Sequence, residues 1–400
     1  MNYENWISYR YLTEKKGGFL AFLNFISTAG VAIGVMALIL VIGIMEGFGN
    51  NLREQIIGTT PHVMIEKETG IRDYQELKDQ IKTLEHVKGA SAYIQGNIFL
   101  ESSGQAVGLI IRGVEPESEY EVTKVNQYIE KGNFQDLHGD SIIVGQELAR
   151  YFGFKIGDKV VLISPGSGVA GQGWRYALTI VGIFSSGRMD YDMNLALVNV
   201  EKAQEIFNVE KGIVTGIGVK LTDPYSETIL ESIKPQIRNL IGYSYYVKTW
   251  KDDNIALFKA LALEKLGLFL ILTLMVMVAS FNIVSTLIVT VTSKIHDIGI
   301  LQSIGVPKNA IRRIFIKQGL LIGIRGILWG LILGVGVSYL LKNYFPVPRD
   351  IYATDHVPVD LKAFDVMVIV ASALVISYLA TLYPASRAAK LQPVDALRYQ

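Results

Sequence analysis

Four long apolar runs constrain the fold of this 400-residue chain more than any other feature. They occupy residues 21–45, 266–291, 314–341 and 364–383, and each is almost free of charge. At a rise of about 1.5 Å per residue, runs of this length can cross a hydrocarbon core of roughly 30 Å. Buried helices of soluble proteins suit shorter apolar runs, of about 10 to 14 residues. The sequence therefore predicts an α-helical membrane protein with four transmembrane helices.

Basic residues between the runs predict the orientation of the chain. Lysine and arginine are present in the N-terminal amphipathic segment 1–20, in segment 292–313 and in the tail 384–400. Because cytoplasmic loops carry an excess of these residues, both termini and segment 292–313 are expected in the cytoplasm. Residues 46–265 and the short loop 342–363 would then lie across the membrane. The first run is too long for a signal-peptide core and is expected to remain as an anchor.

Composition and motifs argue against catalysis by this chain. It has no cysteine, which excludes disulfides, thiolate metal sites and cysteine nucleophiles. Its net charge of +1 and the lack of a basic stripe predict no nucleic-acid partner. The five histidines lack the spacing of a metal site, and no P-loop or nucleophile-elbow motif occurs. We therefore predict no catalytic residue, metal or cofactor here, and any ATP would be hydrolysed by another subunit.

Residues 46–265 have the pattern of a large mixed α/β domain between the first two spans. The segments HVMIEK, VGLIIRGVEP and YALTIVGIF are rich in β-branched residues and predict strands. The segment DYQELKDQIKTLEHV places its apolar residues on one helical face. The segment SIIVGQELARYFGFKIGDKVVLI predicts a strand, a short helix, a turn and a second strand.

A glycine-rich run in this domain has the spacing of a dinucleotide-binding turn, G-x-G-x-x-G, at Gly166, Gly168 and Gly171. Such a turn needs a helix after the glycines, because the helix N-terminus holds the pyrophosphate. Here Trp174 and a β-branched strand follow instead, so residues 164–176 are predicted to form a protruding hairpin. Trp174 is either an interface anchor or a side chain packed on the domain.

Segment 292–313 has the pattern of a short amphipathic helix. An apolar residue recurs at every third position and is expected to belong to one stripe: Ile295, Ile298, Leu301 and Ile304. Gly305 is expected to end this helix, and Pro307 to fit the first turn of the next. The stripe fits a helix that docks on a soluble partner and a helix that lies in the membrane interface equally well.

Several sequence blocks follow one another through nearly the whole chain. They are SYRYL, GVAIGVMALILVIGIMEGF, PHVMIE, IIRGVEP, IIVGQELARYFGFKIGDKV, VKTWKDDN, FNIVSTLIVTVTSKIHDIGILQSIGVPKNAIRRIFIKQGLLIG and YPASRAAKLQPVDALRY. In these blocks the chain resembles the permeases of the lipoprotein-releasing ABC transporter, the LolC/LolE family. The hinge and tail blocks are shared with the larger MacB/FtsX-like superfamily, which includes the macrolide exporter and the cell-division permease. The N-terminal block and residues 250–286 are more particular to lipoprotein release.

The resemblance implies a bacterial inner-membrane complex with the large domain in the periplasm. Two permeases, copies or paralogues, would join a cytoplasmic ABC ATPase dimer that holds ATP and Mg²⁺. Acylated lipoprotein would leave the membrane lipid sideways, between the first two spans, for a periplasmic carrier chaperone. Coupling to the ATPase is implied for Asp297, Ile298, Leu301, Ile304 and Gly305. The chaperone hook is implied for Pro165, Gly166, Gly168, Gly171, Trp174 and Arg175. The lipoprotein path is implied for Val41, Met45, Glu46, Phe48, Phe269, Met275, Met277 and Phe281.

Two charged residues depart from this pattern. Glu46 stands where the family commonly has asparagine, which places a possible carboxylate at the mouth of the cavity. Arg325 lies well inside the third run, where a charge costs ~2.5 kcal/mol or more. We expect Arg325 either to face the interior of the complex, against a partner subunit or an anionic headgroup, or to snorkel towards water.

Two other functions stay open from the sequence. One is a related exporter or mechanotransmission permease of the macrolide-exporter type. The other is a membrane scaffold that activates a hydrolase outside the cytoplasm, as the cell-division permeases do. The large domain, the hook-like hairpin and the FNIVSTL segment favour lipoprotein release over both.

Overall fold

The structure is a computed structural model that describes residues 3–13, 18–102, 104–164, 174–347 and 356–391. The chain divides into two compact units. The helical unit comprises Met1–Gly49, Ala260–Pro346 and His356–Gln400, and the sheet unit is built on Asn50–Lys259. Each unit has its own hydrophobic core.

The described helices follow the predicted pattern of long apolar and short amphipathic segments. In chain order they are α1 (Tyr3–Thr13), α2 (Gly18–Thr59), α3 (Tyr74–Lys82), α4 (Pro116–Glu119), α5 (Gln146–Phe152), α6 (Met189–Asn194), α7 (Val200–Ile206), α8 (Glu227–Ile241), α9 (Trp250–Asp253), α10 (Ile255–Ser293), α11 (Ile295–Ser303), α12 (Lys308–Tyr344) and α13 (Ala363–Ala389). By length and composition, α2, α10, α12 and α13 could cross a membrane. Each of these four contains one of the predicted apolar runs.

Among the described residues, ten strands make one mixed sheet. They are β1 (Val63–Ile71), β2 (Val87–Ser102), β3 (Gln105–Val114), β4 (Ile129–Gly132), β5 (Ser141–Gly145), β6 (Lys159–Ile163), β7 (Arg175–Phe184), β8 (Leu195–Asn199), β9 (Val214–Leu221) and β10 (Tyr246–Thr249). The strand order is β10-β1-β9-β2-β3-β8-β5-β7-β4, and β6 pairs with β2 and β7. The pairs β3–β8 and β5–β7 are parallel, and the other pairs are antiparallel. The predicted mixed α/β character of this segment is confirmed.

Helix α12 is packed closely on two neighbours because glycines line its contact faces. A Cβ at Gly319 would lie 2.2 Å from Cγ2 of Thr381 on α13. A Cβ at Gly326 would lie 2.7 Å from Cβ of Val31 on α2. Any larger residue at these positions would push the helices apart, and small residues at such spacings are typical of closely packed membrane helices. The apolar core of the unit forms around these contacts.

The C-terminal end of α2, from Asn50 onwards, belongs to the sheet unit. The hydroxyl of Tyr191 donates to the carbonyl of Thr59 over 2.9 Å, and the backbone N–H of Lys124 donates to the carbonyl of Gly58 over 2.8 Å. Both carbonyls belong to the last turn of the helix, where carbonyl groups have no N–H donor within the helix itself. The end of α2 is therefore fixed to the loops beside the sheet.

The segment before α10 is fixed in a similar way. The Trp250 side chain is buried, its indole N–H donates to the carbonyl of Pro224 over 3.0 Å, and its backbone N–H donates to the carbonyl of His62. Thr249 and Asp252 form a reciprocal capping box at this turn. The chain therefore leaves the sheet through a turn that is held by these hydrogen bonds.

His62, at the start of β1, gives the sheet unit a predictable response to acid. Its imidazole is buried and its Nδ1 accepts the backbone N–H of Leu221 over 2.9 Å. Burial lowers the pKa of His62 to about 4, and the positive charge of Lys220 adds to this effect. In the unfolded chain the His62 imidazole therefore takes up a proton near pH 6.5. In the folded chain it stays neutral until about pH 4.

We expect His62→Asn to reduce the loss of stability of the full chain between pH 6.5 and pH 4. Asparagine keeps an acceptor for Leu221 and removes the titrating group. The difference from the wild type should grow to about 3 kcal/mol at the acid end, since each pKa unit is worth about 1.4 kcal/mol. Thermal unfolding in detergent at a series of pH values measures it, with His138→Asn at an exposed position as the control. Parallel pH curves for wild type and His62→Asn would contradict the prediction.

Candidate functional site

Strands β6 and β7, which flank the predicted hairpin 164–176, form an antiparallel pair. Strands β6 and β7 pair with Ile163 opposite Arg175, and the N–H of Ser164 donates to the carbonyl of Trp174 over 3.0 Å. Strand β6 also pairs with β2, where Ile163 is opposite Phe99. A strand, and not a helix, therefore follows the glycines, which agrees with the rejection of a dinucleotide-binding turn. Pro165, Gly166, Gly168 and Gly171 lie outside the described residues.

At the base of the hairpin, Trp174 and Arg175 are both accessible. Trp174 is 60% exposed, which favours an available anchor over a side chain packed on the domain. The Arg175 guanidinium lies 2.9 Å from a carboxylate oxygen of Glu101 on β2, and this pair is largely exposed. Sequence reasoning missed Glu101, because the strand pairing that brings it to Arg175 joins distant segments of the chain.

Helix α11 does not present the single stripe that the sequence predicted. Ile298 is 1% exposed and packs in a cluster with Val291, Ile311, Phe315, Ala385 and Ala388. Ile304 is 71% exposed. A spacing of three residues turns by about 300°, so each step drifts by about 60°, and positions 295 and 304 lie on opposite sides. Ile298 therefore holds α11 against its neighbours, whereas Ile304 is exposed.

The end of α11 follows the prediction for Gly305. This residue has φ +91°, and its N–H donates to the carbonyl of Gln302 while that of Val306 donates to the carbonyl of Leu301. These two bonds are those of a Schellman motif with glycine just after the helix. Pro307 is the N-cap of α12, one position before the first turn in which it was expected. Asp297 forms an ion pair over 3.3 Å with Lys294, the N-cap residue of α11.

The four path residues predicted on α10 do not share one face. At about 100° per residue, Met275 and Met277 lie about 160° apart around the helix. Met277 and Phe281 lie on the exposed side, opposite the buried residues Leu272, Val276 and Ile283. Phe269 is only partly exposed, as are the α2 residues Val41, Met45 and Phe48. The described outward face of α10 is therefore better defined by Leu270, Leu274, Met277 and Phe281.

Glu46, the predicted carboxylate, is engaged by two lysines. Its side chain is 11% exposed, and one oxygen lies 2.9 Å from Nζ of Lys265 on α10. Its other oxygen accepts from Lys362, the residue before α13. The adjoining loop lies directly on α2, because a Cβ at Gly47 would lie 2.2 Å from the carbonyl oxygen of Pro358. Glu46 therefore joins α2, α10 and the segment before α13 through one carboxylate.

Arg325 contacts the N-terminal helix. Its guanidinium carbon lies 5.9 Å from the centroid of the Tyr9 ring on α1. Helix α1 also reaches α12 through Glu4, whose carboxylate lies 2.7 Å from Lys317. Lys317 precedes Arg325 along α12, so α1 lies beside the N-terminal part of α12. The Arg325 side chain, which reaches Tyr9 of α1, therefore extends towards the N-terminal end of α12. This favours the snorkelling alternative for Arg325.

Two family models match this chain in sequence order. A MacB-like periplasmic core domain matches residues 24–236, and an FtsX-like permease C-terminal domain matches residues 269–393. With its four long apolar helices and its mixed α/β unit, the chain is a permease of the MacB/FtsX-like class.

Curated relatives match over the full length. The lipoprotein-releasing system transmembrane protein LolC of Neisseria meningitidis is 34% identical over 99% of both chains. LolC of Xylella fastidiosa is 32% identical over 98% of both chains, and LolE of Haemophilus influenzae is 29% identical over 99% of both. The chain belongs to this family of lipoprotein-releasing system transmembrane proteins, which confirms the resemblance found in its sequence.

A solved structure also matches part of the chain. The periplasmic region of MacB from Actinobacillus actinomycetemcomitans covers 51% of this chain and 95% of its own, with 10% identity and a TM-score of 0.35.

We expect Glu46→Gln to destabilise the full chain through the loss of both ion pairs. Each lysine is partly exposed, so each pair should contribute at most about 1 kcal/mol. Thermal unfolding of Glu46→Gln, Lys265→Gln and the double variant forms a cycle that isolates one pair. The double variant should be more stable than the sum of the single effects predicts. Additive effects would show that the Glu46–Lys265 contact contributes nothing.

Proposed function

We propose that this chain is the permease subunit of an ABC transporter that extracts acylated lipoproteins from the outer leaflet of the bacterial inner membrane. The transporter would pass them to a periplasmic carrier chaperone. The observation that carries this proposal is the 34% identity, over 99% of both chains, to a protein named for lipoprotein release. Each buried methylene of an acyl chain is worth ~0.8 kcal/mol, so extraction of several chains costs tens of kcal/mol. An ATPase and a receiving carrier are therefore both needed.

The proposed disposition follows the basic residues and the helix lengths. Helices α2, α10, α12 and α13 would span the membrane, with both termini in the cytoplasm and the sheet unit in the periplasm. The FtsX-like match to residues 269–393 supports a permease whose ATP is bound in another subunit. ATP and Mg²⁺ would then be held by a cytoplasmic ATPase dimer. A second permease, identical or paralogous, would complete the complex.

The ATPase would dock on the outward side of α11. Ile300 and Ile304 are exposed there, while Ile298 is embedded beside α12 and α13. Movement of the ATPase would be passed on through this buried residue to the helices that surround it. Leu301 lies between the two faces, and Asp297 and Gly305 flank the exposed surface. A docked helix of this kind uses its exposed apolar residues as anchors.

The lipoprotein would enter between α2 and α10. The ion pair between Glu46 and Lys265 joins these two helices, so lateral entry at that point requires the pair to open. The exposed apolar residues of α10, including Met277 and Phe281, would contact the acyl chains. Lys362 would keep the carboxylate neutralised while Lys265 moves away.

The carrier would bind at the hairpin between β6 and β7. Trp174 offers a large exposed ring at its base, and Arg175 adds a charged group beside it. Tryptophan and arginine are enriched among residues that dominate binding energy. An exporter of the macrolide type and a hydrolase-activating scaffold fit less well, since the full-length relatives carry names of lipoprotein release.

We expect Trp174→Ala to weaken capture of the carrier chaperone by about 10-fold or more, the effect of losing a hot-spot aromatic residue. A pull-down with the full complex in detergent and the purified periplasmic carrier measures it. Tyr243→Ala, which removes another exposed ring of the sheet unit, is the matched control. Unchanged carrier capture by Trp174→Ala would place the hook elsewhere, and capture of an adaptor or a hydrolase in place of a carrier would reject lipoprotein release.

We expect Ile304→Asp to weaken binding of the ATPase without destabilising the permease. Ile304 is 71% exposed, so the substitution removes an outward apolar anchor and leaves the packing of α11 intact. Co-purification of the ATPase and thermal unfolding of the permease measure the two effects. Ile298→Ala serves as the contrast, since its buried side chain should mainly affect stability. Full ATPase recovery with Ile304→Asp would contradict docking on this side.

A further inference from the structure

Three lysines of the sheet unit lie close together beside the end of α2. Gly89 on β2 is opposite Lys220 on β9, and the register of this pairing shifts at Lys88, the residue before Gly89. The third lysine, Lys124, donates its backbone N–H over 2.8 Å to the carbonyl of Gly58 in the last turn of α2. Lys88 and Lys124 are exposed, and Lys220 is partly buried. We call these three residues the lysine cluster.

The loop that carries the third lysine covers the face of the sheet on which Lys220 lies. Successive side chains of a strand point to opposite faces. The neighbours of Lys220 along β9, Val219 and Leu221, are buried in the core, so Lys220 shares the other face with Gly218. A Cβ on Gly218 would lie 3.4 Å from Cγ1 of Val122 in that loop. The loop and Lys220 therefore meet on one face.

The charges of the cluster act on one another and on a shared neighbour. Burial lowers the pKa of the Lys220 ammonium, and the positive charges of Lys124 and Lys88 lower it further. Burial and the charges of all three lysines lower the pKa of His62. A nearby like charge disfavours the protonated form of a basic group. The three ammonium groups therefore lie around one region of the surface.

The cluster carries its positive charge without neutralisation by the carboxylates next to it in sequence. Among the described residues, none of the three lysines forms an ion pair. Glu121 pairs with Lys82 over 3.0 Å, and Asp223 accepts the backbone N–H of Tyr225 over 2.9 Å. The two charged groups that act on Lys220 are both positive. Like charges held together oppose the folded state, and such a conflict is typical of a functional site.

The position of the cluster favours a protein ligand over a lipid headgroup. Helix α2 is continuous to Thr59, and Gly58 lies about 20 Å along it from Met45, where the apolar run ends. Headgroups occupy only about 5 to 8 Å on each side of the hydrocarbon core. The carbonyl of His62 also accepts the backbone N–H of Trp250, in the turn that leads to α10. The cluster therefore lies where the chain segments of α2 and α10 join the sheet unit.

We propose that the lysine cluster binds carboxylate side chains in the polypeptide of the lipoprotein, in the segment that follows its acylated end. The inference rests on the proposed function, and it adds a preference for cargo with an acidic segment. An extended chain advances about 3.3 Å per residue, so residues from about the sixth after the acylated end could reach the cluster.

The chemistry of lysine suits this ligand. Its ammonium group is a compact point charge on a flexible stem, which follows the carboxylates of a mobile segment without fixing one geometry. Attraction of this kind selects among partners and speeds their encounter more than it adds affinity. The cluster would therefore select cargo while the acyl chains supply most of the interaction elsewhere.

The test uses the full permease–ATPase complex in nanodiscs, without ATP, and two purified acylated lipoproteins. They are identical except for a run of aspartates or of asparagines from about the sixth residue after the acylated end. Wild type should capture the aspartate form more tightly. Lys88→Gln, Lys124→Gln and Lys220→Gln should each reduce this preference by about two- to fivefold, the range that corresponds to an exposed ion pair of up to about 1 kcal/mol. High salt should reduce it as well.

Lys131→Gln is the matched control, since this exposed lysine lies on β4, at the edge of the sheet remote from β9. It should keep the wild-type preference. Equal capture of the two lipoproteins by the wild type would overturn the inference and leave the proposed function in place. Capture of neither lipoprotein would reject the proposed function and this inference together.

Thermal unfolding and native mass spectrometry of the same complexes give independent readouts. Removing one of three like charges should leave the stability of the permease unchanged or raise it. A lower unfolding temperature in all three lysine variants than in Lys131→Gln would show a structural role and overturn the inference. Loss of bound phosphatidylglycerol with an unchanged cargo preference would assign the cluster to a lipid headgroup. Separation of the two permeases with an unchanged preference would assign it to a contact between them.

Discussion

The structure depends first on the apolar surface of its four long helices. Only 22% to 39% of the residues in their most apolar stretches are buried within the described chain. The rest of that surface must be covered by lipid or by another protein, since its exposure to water would cost about 25 cal/mol per Å². A single copy of this chain would therefore leave much apolar surface exposed in water, in agreement with the membrane-embedded family to which it belongs.

The four long helices contact one another through small residues at specific positions. Glycines on α12 allow α2 and α13 to approach at van der Waals distance, and the buried aliphatic side chains then form a continuous core. Close backbone approach is useful between membrane helices because lipid offers no hydrophobic advantage over a neighbouring side chain. The contact of α11 is also small, since the buried Ile298 packs this short helix against α12 and α13.

The sequence predicted those features that depend on local pattern. The four apolar runs, the alternating strands and the glycine after α11 follow from residue type and spacing alone, and all are present. The 16-residue strand β2 was missed, because Gly89, Ala90, Ser91 and Ala92 lack the β-branched signature of a strand. The α11 stripe was misjudged because a three-residue period does not match 3.6 residues per turn. The partners of Glu46 and Arg175 could not be predicted, since they lie in distant segments brought together only by packing.

Glu46 and Arg325 are the two charges that the sequence marks as unusual in apolar surroundings, and the structure accommodates them in opposite ways. Glutamate has a short side chain, so it cannot carry its charge far, and Lys265 and Lys362 reach it instead. Arginine has a long and partly apolar stem, so it can carry its charge along the helix to the ring of Tyr9. The Glu46 ion pairs therefore join three segments of the chain, whereas Arg325 is placed against a single ring on α1. The length of each side chain therefore suits Glu46 to join neighbouring helices and Arg325 to carry its charge away from the middle of its apolar run.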